Sequence, residues 1–109
     1  MAAFETPGSS GYTKYGMWQI LEHRRAARQF DRLAEDVLKR YEKWKDIVVI
    51  SGPDGLRLIK GFHDEALSGE KKGCRSSRLS LKYRVIYQVL KEQVLVQVLD
   101  ISAHDYRKK

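Results

Sequence analysis

The chain predicts an α+β fold, a small antiparallel β-sheet packed against an N-terminal helix or helices. Two shifts in hydrophobic period carry that expectation: a long stripe at helical spacing, then a series of two-residue alternations. In order along the chain, Met17-Trp18-Gln19-Ile20-Leu21 is short and apolar and reads as a first strand. Ala26, Phe30, Leu33, Val37, Tyr41 and Trp44 then recur at three and four residues, which predicts one helix from about Glu22 to Lys45. Ala27, Ala34 and Leu38 widen its apolar face, and Glu35 with Lys39 and Asp36 with Arg40 form acid-before-base pairs one turn apart. Ile47-Val48-Val49-Ile50 suits a strand by its β-branching, but equally the end of the helix or a second short one. Ser51-Gly52-Pro53-Asp54-Gly55 is a turn, and Leu56 to Phe62 fits a strand or an irregular segment. Glu65 to Gly69 and Lys71 to Gly73 read as a loop. Arg78 to Leu90 reads as one strand and Lys91-Glu92-Gln93 as its turn. Val94 to Leu99 is apolar on nearly both sides, as a central strand covered on two faces would be. Residues 1–15 are small, polar and Gly/Ser-punctuated and are expected to form a loose leader to a single domain over residues 16–109.

The composition narrows the function classes. The 109 residues suffice for one core without covalent staples, with 42% hydrophobic and 32% charged residues. Lysine and arginine number 21 against 14 acidic residues, a formal charge of +7, which favours a polyanion or an acidic protein over a neutral small molecule. Cys74 is the only cysteine, so an intramolecular disulfide and a thiolate zinc cluster are excluded and a reducing compartment, the cytoplasm, is expected. His23, His63 and His104 lack metal-ligand spacing within one element, and no metal or cofactor is expected. No apolar run approaches a membrane span, and no membrane partner is expected.

Chemistry concentrates in the last third. Lys71, Lys72, Arg75, Arg78, Lys82 and Arg84 fall in a stretch with no acidic residue from Lys71 through Leu90. In a continuous strand, alternation puts Arg78, Ser80, Lys82 and Arg84 on one face, opposite Leu79, Leu81, Tyr83, Val85, Tyr87 and Val89. Like charges crowded on one face are costly unless an anion neutralises them, and arginine's planar fork suits phosphate. The tail is Ala103-His104-Asp105-Tyr106-Arg107-Lys108-Lys109. His104 exchanges protons near neutral pH, and the Tyr106 phenol donates one only if cations stabilise its anion. Glu65 and His63 are weaker candidates, and His23 with Arg24, Arg25 and Arg28 reads as helix surface. No Gly-rich phosphate loop, nucleophile elbow or zinc pattern occurs.

The run from Gly73 to Tyr87, with the apolar strand and His104-Asp105-Tyr106 after it, resembles the RelE/ParE toxin superfamily. Its Ser-Arg-Leu-Ser…Tyr-Arg-Val-Ile-Tyr block and the preceding Glu65-Ala66-Leu67-Ser68-Gly69 are similar to the YoeB and YafQ branches, ribosome-dependent mRNA interferases of type II toxin–antitoxin systems. The resemblance implies a small antiparallel sheet with an N-terminal helical layer and metal-independent cleavage of mRNA in the ribosomal A site. It implies ribosomal RNA and a cognate antitoxin as partners, with operator DNA bound only through the antitoxin complex. It puts Arg78 where the family has a catalytic arginine or histidine, and His104 and Tyr106 at its terminal pair. Lys82 and Glu65 fall at positions that are acid, base or polar in one branch or another. Lys71, Lys72, Arg75, Arg84 and Arg107 are the expected RNA-binding cations. Two other functions fit the same chain: a ParE-like gyrase inhibitor, and a non-catalytic nucleic-acid-binding module.

Overall fold

A computed structural model describes residues 4–5 and 18–103 of the chain. Strand β1 is Phe4–Glu5 and β2 is Gln19–His23. Helices α1, Arg24–Phe30, and α2, Glu35–Ser51, follow. The remaining strands are β3, Glu65–Ala66, β4, Arg75–Arg78, β5, Tyr83–Leu90, and β6, Leu95–Ala103. They form one sheet in the order β1-β2-β6-β5-β4-β3. The α+β class stands, with one difference: β2 lies parallel to β6, pairing Ile20 with Val96 and Glu22 with Val98, so the sheet is mixed. The helical crossover between them makes that geometry available. Inside the segment expected as a leader, Phe4 and Glu5 pair with His23 and Glu22. No helix among the described residues is long and apolar enough to cross a membrane.

The expected single helix is two. At the end of α1 the Asp31 N–H bonds to the carbonyls of Arg28 and Gln29, and Leu33 N–H reaches Phe30 O at 3.2 Å. Ala34 is extended, and α2 restarts with Glu35 and Asp36 in its first turn, where the helix dipole favours negative charge. The 3.6-residue stripe survives the break because both helices contribute to the same core, Ala26 from α1 and Val37, Tyr41, Trp44 and Val48 from α2. Ile47 to Ile50 is the last turn of α2, where burial of Val48 outweighs the weak strand preference of β-branched residues. Leu56 to Phe62 is neither strand nor loose coil. It forms two 3₁₀ turns, Pro53–Leu58 and Lys60–Phe62, which bury Leu56 and Phe62.

The expected Arg78–Leu90 strand is also divided. The chain reverses over Leu79 to Lys82, with Leu79 N–H bonded to Tyr83 O at 2.8 Å and Ser80 Oγ accepting from the N–H groups of Lys82 and Tyr83 at 3.2 and 3.0 Å. A serine hydroxyl thus does the work of a turn, holding the backbone without glycine or proline. Central β6 matches its expected place, with Val96, Val98 and Ile101 in the core. Aromatic rings tie helix to sheet: Phe30 stacks on Tyr41 at 4.1 Å, Tyr41 on Trp44 at 5.6 Å, and Trp44 meets Tyr87 edge-on at 5.2 Å.

Helix α2 ends on Gly52, at φ 80° and ψ 170°, a conformation essentially restricted to glycine. A Cβ there would lie 2.7 Å from Trp18 Nε1. Gly52→Ala is therefore expected to cost about 1–3 kcal/mol. In a domain of this size each 1 kcal/mol lowers the melting temperature by about 4–8 °C, read by a thermal melt.

Candidate nucleic-acid interface

Beneath the β4–β5 hairpin sits a carboxylate with no solvent exposure, Asp64. Four donor atoms converge on it: Arg75 Nε at 2.9 Å and Nη2 at 2.8 Å on Oδ2, Ser77 Oγ at 2.6 Å and the Tyr87 hydroxyl at 2.5 Å on Oδ1. Trp44 Nε1 extends the network from α2 by donating to Ser77 Oγ at 2.9 Å. A buried carboxylate is tolerated when its lone pairs are filled and a cation faces it, and both conditions hold. Burial works to lower the Arg75 pKa, but hydrogen bonding and charge from Asp64 outweigh it, so the guanidinium is held firmly charged. Burial first, then the Asp64 carboxylate, push the Tyr87 phenol well above its usual range. Arg75, expected to bind RNA, is committed to this ion pair and is only 22% exposed.

The opposite face of the hairpin carries the other arginines. Pairing sets Arg84 across from Arg78 on β4 and from Ser102 on β6, so Ser102, Arg84 and Arg78 form one cross-strand row. Arg84 is 6% exposed and is no open cation. Its Nε donates to Ser76 Oγ at 2.9 Å, and its Nη2 to His63 O at 3.0 Å and Glu65 Oε2 at 3.4 Å. Facing arginines repel, and these acceptors offset the repulsion. His63 contributes through its carbonyl, presented by a left-handed backbone at φ 43°. Arg78 is half-buried beside Arg84, and Glu65 is exposed on β3, paired with Ser76.

The remaining expected residues divide by position. Lys82 is exposed at the hairpin turn, its ammonium 5.5 Å from the Tyr83 ring centre, so it stands on the turn and not on a strand face. Lys71 and Lys72 are exposed between β3 and β4, on a 3₁₀ turn and its cap. His104, Tyr106 and Arg107 lie outside the described residues. The last described residue, Ala103, pairs with Tyr83, one position beyond the Ser102–Arg84–Arg78 row. The residues that sequence reasoning missed are Asp64, Ser77 and Trp44. Two serines between two arginines, Arg75-Ser76-Ser77-Arg78, are the one local trace of a buried polar layer.

No protein-family model matches the chain, and no curated protein matches it in sequence. Solved structures match it in fold. The archaeal RelE–RelB complex from Pyrococcus horikoshii is similar at a TM-score of 0.66 and 20% identity, over 83% of this chain and 98% of that one. A YoeB/ParE toxin from Agrobacterium tumefaciens is similar at 0.64 and 13% identity, over 79% and 98%. The heterotetrameric YoeB–YefM toxin–antitoxin complex from Staphylococcus aureus is similar at 0.61 and 16% identity, over 81% and 98%. The chain has the RelE/YoeB-type toxin fold.

Removing the buried carboxylate leaves Arg75, Ser77 and Tyr87 short of their acceptor, so Asp64→Ala is expected to destabilise by about 3–5 kcal/mol in urea denaturation. Tyr41 is also shifted upward, by burial and then by Glu22, whose carboxylate accepts its hydroxyl at 2.6 Å. Above about pH 10 the unfolded chain releases phenolic protons that the folded one keeps, so this contribution to stability is full below that pH and is lost as pH rises. Each tyrosine contributes a slope of up to about 1.4 kcal/mol per pH unit. Tyr87→Phe should flatten the alkaline stability profile by one such share.

Proposed function

We propose that this chain is the toxin of a type II toxin–antitoxin pair, acting in the cytoplasm as an endoribonuclease that cuts mRNA engaged in the ribosomal A site. The observation that carries the reading is the position of the arginine row: Arg78 and Arg84 stand beside the point where β6 hands over to the His104–Tyr106 tail. The shared toxin fold supports it, as do solved relatives that are complexes with RelB or YefM, which speak for a cognate antitoxin here.

RNA supplies its own nucleophile. The 2′-OH attacks the adjacent phosphorus in line, the bond from O2′ to phosphorus forms and the bond to O5′ breaks. The products are a 2′,3′-cyclic phosphate, or the 3′-phosphate after hydrolysis, and a 5′-OH. His104 is assigned to proton transfer, with Tyr106 orienting the nucleotide or serving as the second proton group. Positioned acid–base groups contribute about 10²–10⁴-fold. Arg78 neutralises charge on the phosphorane, the kind of preorganised electrostatic effect that is often the largest catalytic contribution. Arg84 stands across the hairpin from Arg78, and Glu65 holds Arg84 while remaining open to solvent. Lys82, Lys71, Lys72 and Arg107 are assigned to flanking RNA backbone.

Purified protein added to a translation extract should cut ribosome-engaged message, with ends mapped by primer extension, and should leave 2′-deoxy substitutions at the cut site intact. Arg78→Ala and His104→Ala should each lower cutting at least 10²-fold. Intact message with arrested gyrase supercoiling would instead assign a ParE-like activity. Salt-sensitive RNA binding that survives His104→Ala, without cutting, would leave a plain binding module.

A further inference from the structure

Away from the hairpin, α1 carries a second concentration of positive charge that the proposed chemistry leaves unused. His23, Arg24, Arg25, Arg28, Gln29 and Arg32 line an open hollow of about 370 Å³. All four arginines are exposed, and no ion pair among the described residues joins Arg25, Arg28 or Arg32 to a carboxylate. The hollow is fixed to the sheet. Strand β2 pairs with β6 only as far as Val98, and beyond it the Gln29 side chain takes the vacated bonding position, its Oε1 accepting from Ile101 N–H at 2.8 Å. Ile101 precedes Ser102, the first member of the row that continues through Arg84 to Arg78. Strands lie about 4.8 Å apart, so about 10 Å of sheet separates Ser102 from Arg78, while Gln29, which lines the hollow, bonds to β6 at Ile101.

We propose that the α1 hollow is a phosphate-binding subsite for RNA backbone flanking the nucleotide held at Arg78. It rests on the reading of the chain as an RNA-cutting toxin and extends that site across β6. Planar guanidinium forks at Arg25 and Arg28 on α1 and at Arg32 just after it match closely spaced phosphates. Four exposed arginines around one hollow, in a chain of formal charge +7, favour a polyanion over a neutral ligand.

The test measures binding of the full chain to a short 2′-O-methyl RNA, which lacks the attacking hydroxyl, across a salt series. Replacing Arg25, Arg28 and Arg32 together by Gln should weaken binding about tenfold or more at low salt. It should also reduce the log–log salt slope by about 2, at about 0.7 per phosphate contact on a single strand. The corresponding Arg→Lys triple should keep the slope, since charge is retained. Should the glutamine triple fail to fold by circular dichroism, Arg28→Gln alone is expected to lower the slope by about 0.7. An unchanged slope and affinity in the folded glutamine variant overturns the proposal. So does an unchanged RNA slope with lost binding to poly-glutamate, which would assign the hollow to an acidic protein. Failure of the wild-type chain to cut message, with the slope difference intact, sinks the nuclease reading and leaves the RNA subsite standing.

Discussion

Asp64 ties the β4–β5 hairpin to the rest of the molecule. Its carboxylate is sealed from water and receives a two-pronged arginine, a serine and a tyrosine, while Trp44 reaches the same serine from α2. The network joins three parts of the chain that are far apart in sequence: the segment after the second 3₁₀ turn, the helix layer and the β4–β5 hairpin. Such a group is expensive to bury and more expensive to leave half-paired, so the three parts are held in one arrangement. The left-handed His63 just before Asp64 serves the same geometry from the other side, turning its carbonyl onto Arg84.

Two layers of polar structure therefore sandwich the hairpin. On the core side, Arg75 and Tyr87 face each other across the strands and both point at Asp64. On the other side, Arg84 is gripped by Ser76, His63 and Glu65, with Arg78 directly opposite. The alternation of a β-ladder separates these roles, so neighbouring arginines in sequence do different work. Arg75 and Arg84 spend their donors on the protein. Arg78, half-buried, stands directly opposite Arg84 on that face.

Much of this was legible in the residues. The two-sided apolar run of β6 foretold a central strand, and the change from helical to strand period foretold the class. The helix break over Asp31 to Ala34 was hidden because α1 and α2 feed one core, which keeps the apolar spacing continuous with no glycine or proline to mark the gap. The hairpin was hidden in a similar way: Leu79, Leu81 and Tyr83 alternate as a strand would, yet Ser80 turns the chain and leaves Leu81 80% exposed at the tip. Arg78 and Arg84 still share a face, now as cross-strand partners instead of positions along one strand. Asp64 was illegible because its partners lie 11, 13 and 23 residues away, and no local pattern distinguishes it from a loop aspartate.

The central claim is that the hairpin's arginine row and the chain's terminal imidazole and phenol serve one phosphodiester. A crystal structure of the full chain with a 2′-deoxy dinucleotide tests it most directly. The account predicts the bridging phosphate on the Arg78 guanidinium at about 3 Å, with His104 and Tyr106 within hydrogen-bond reach of the same phosphodiester. A phosphate bound away from Arg78, or His104 and Tyr106 lying on the helix-covered side of the sheet, would contradict it.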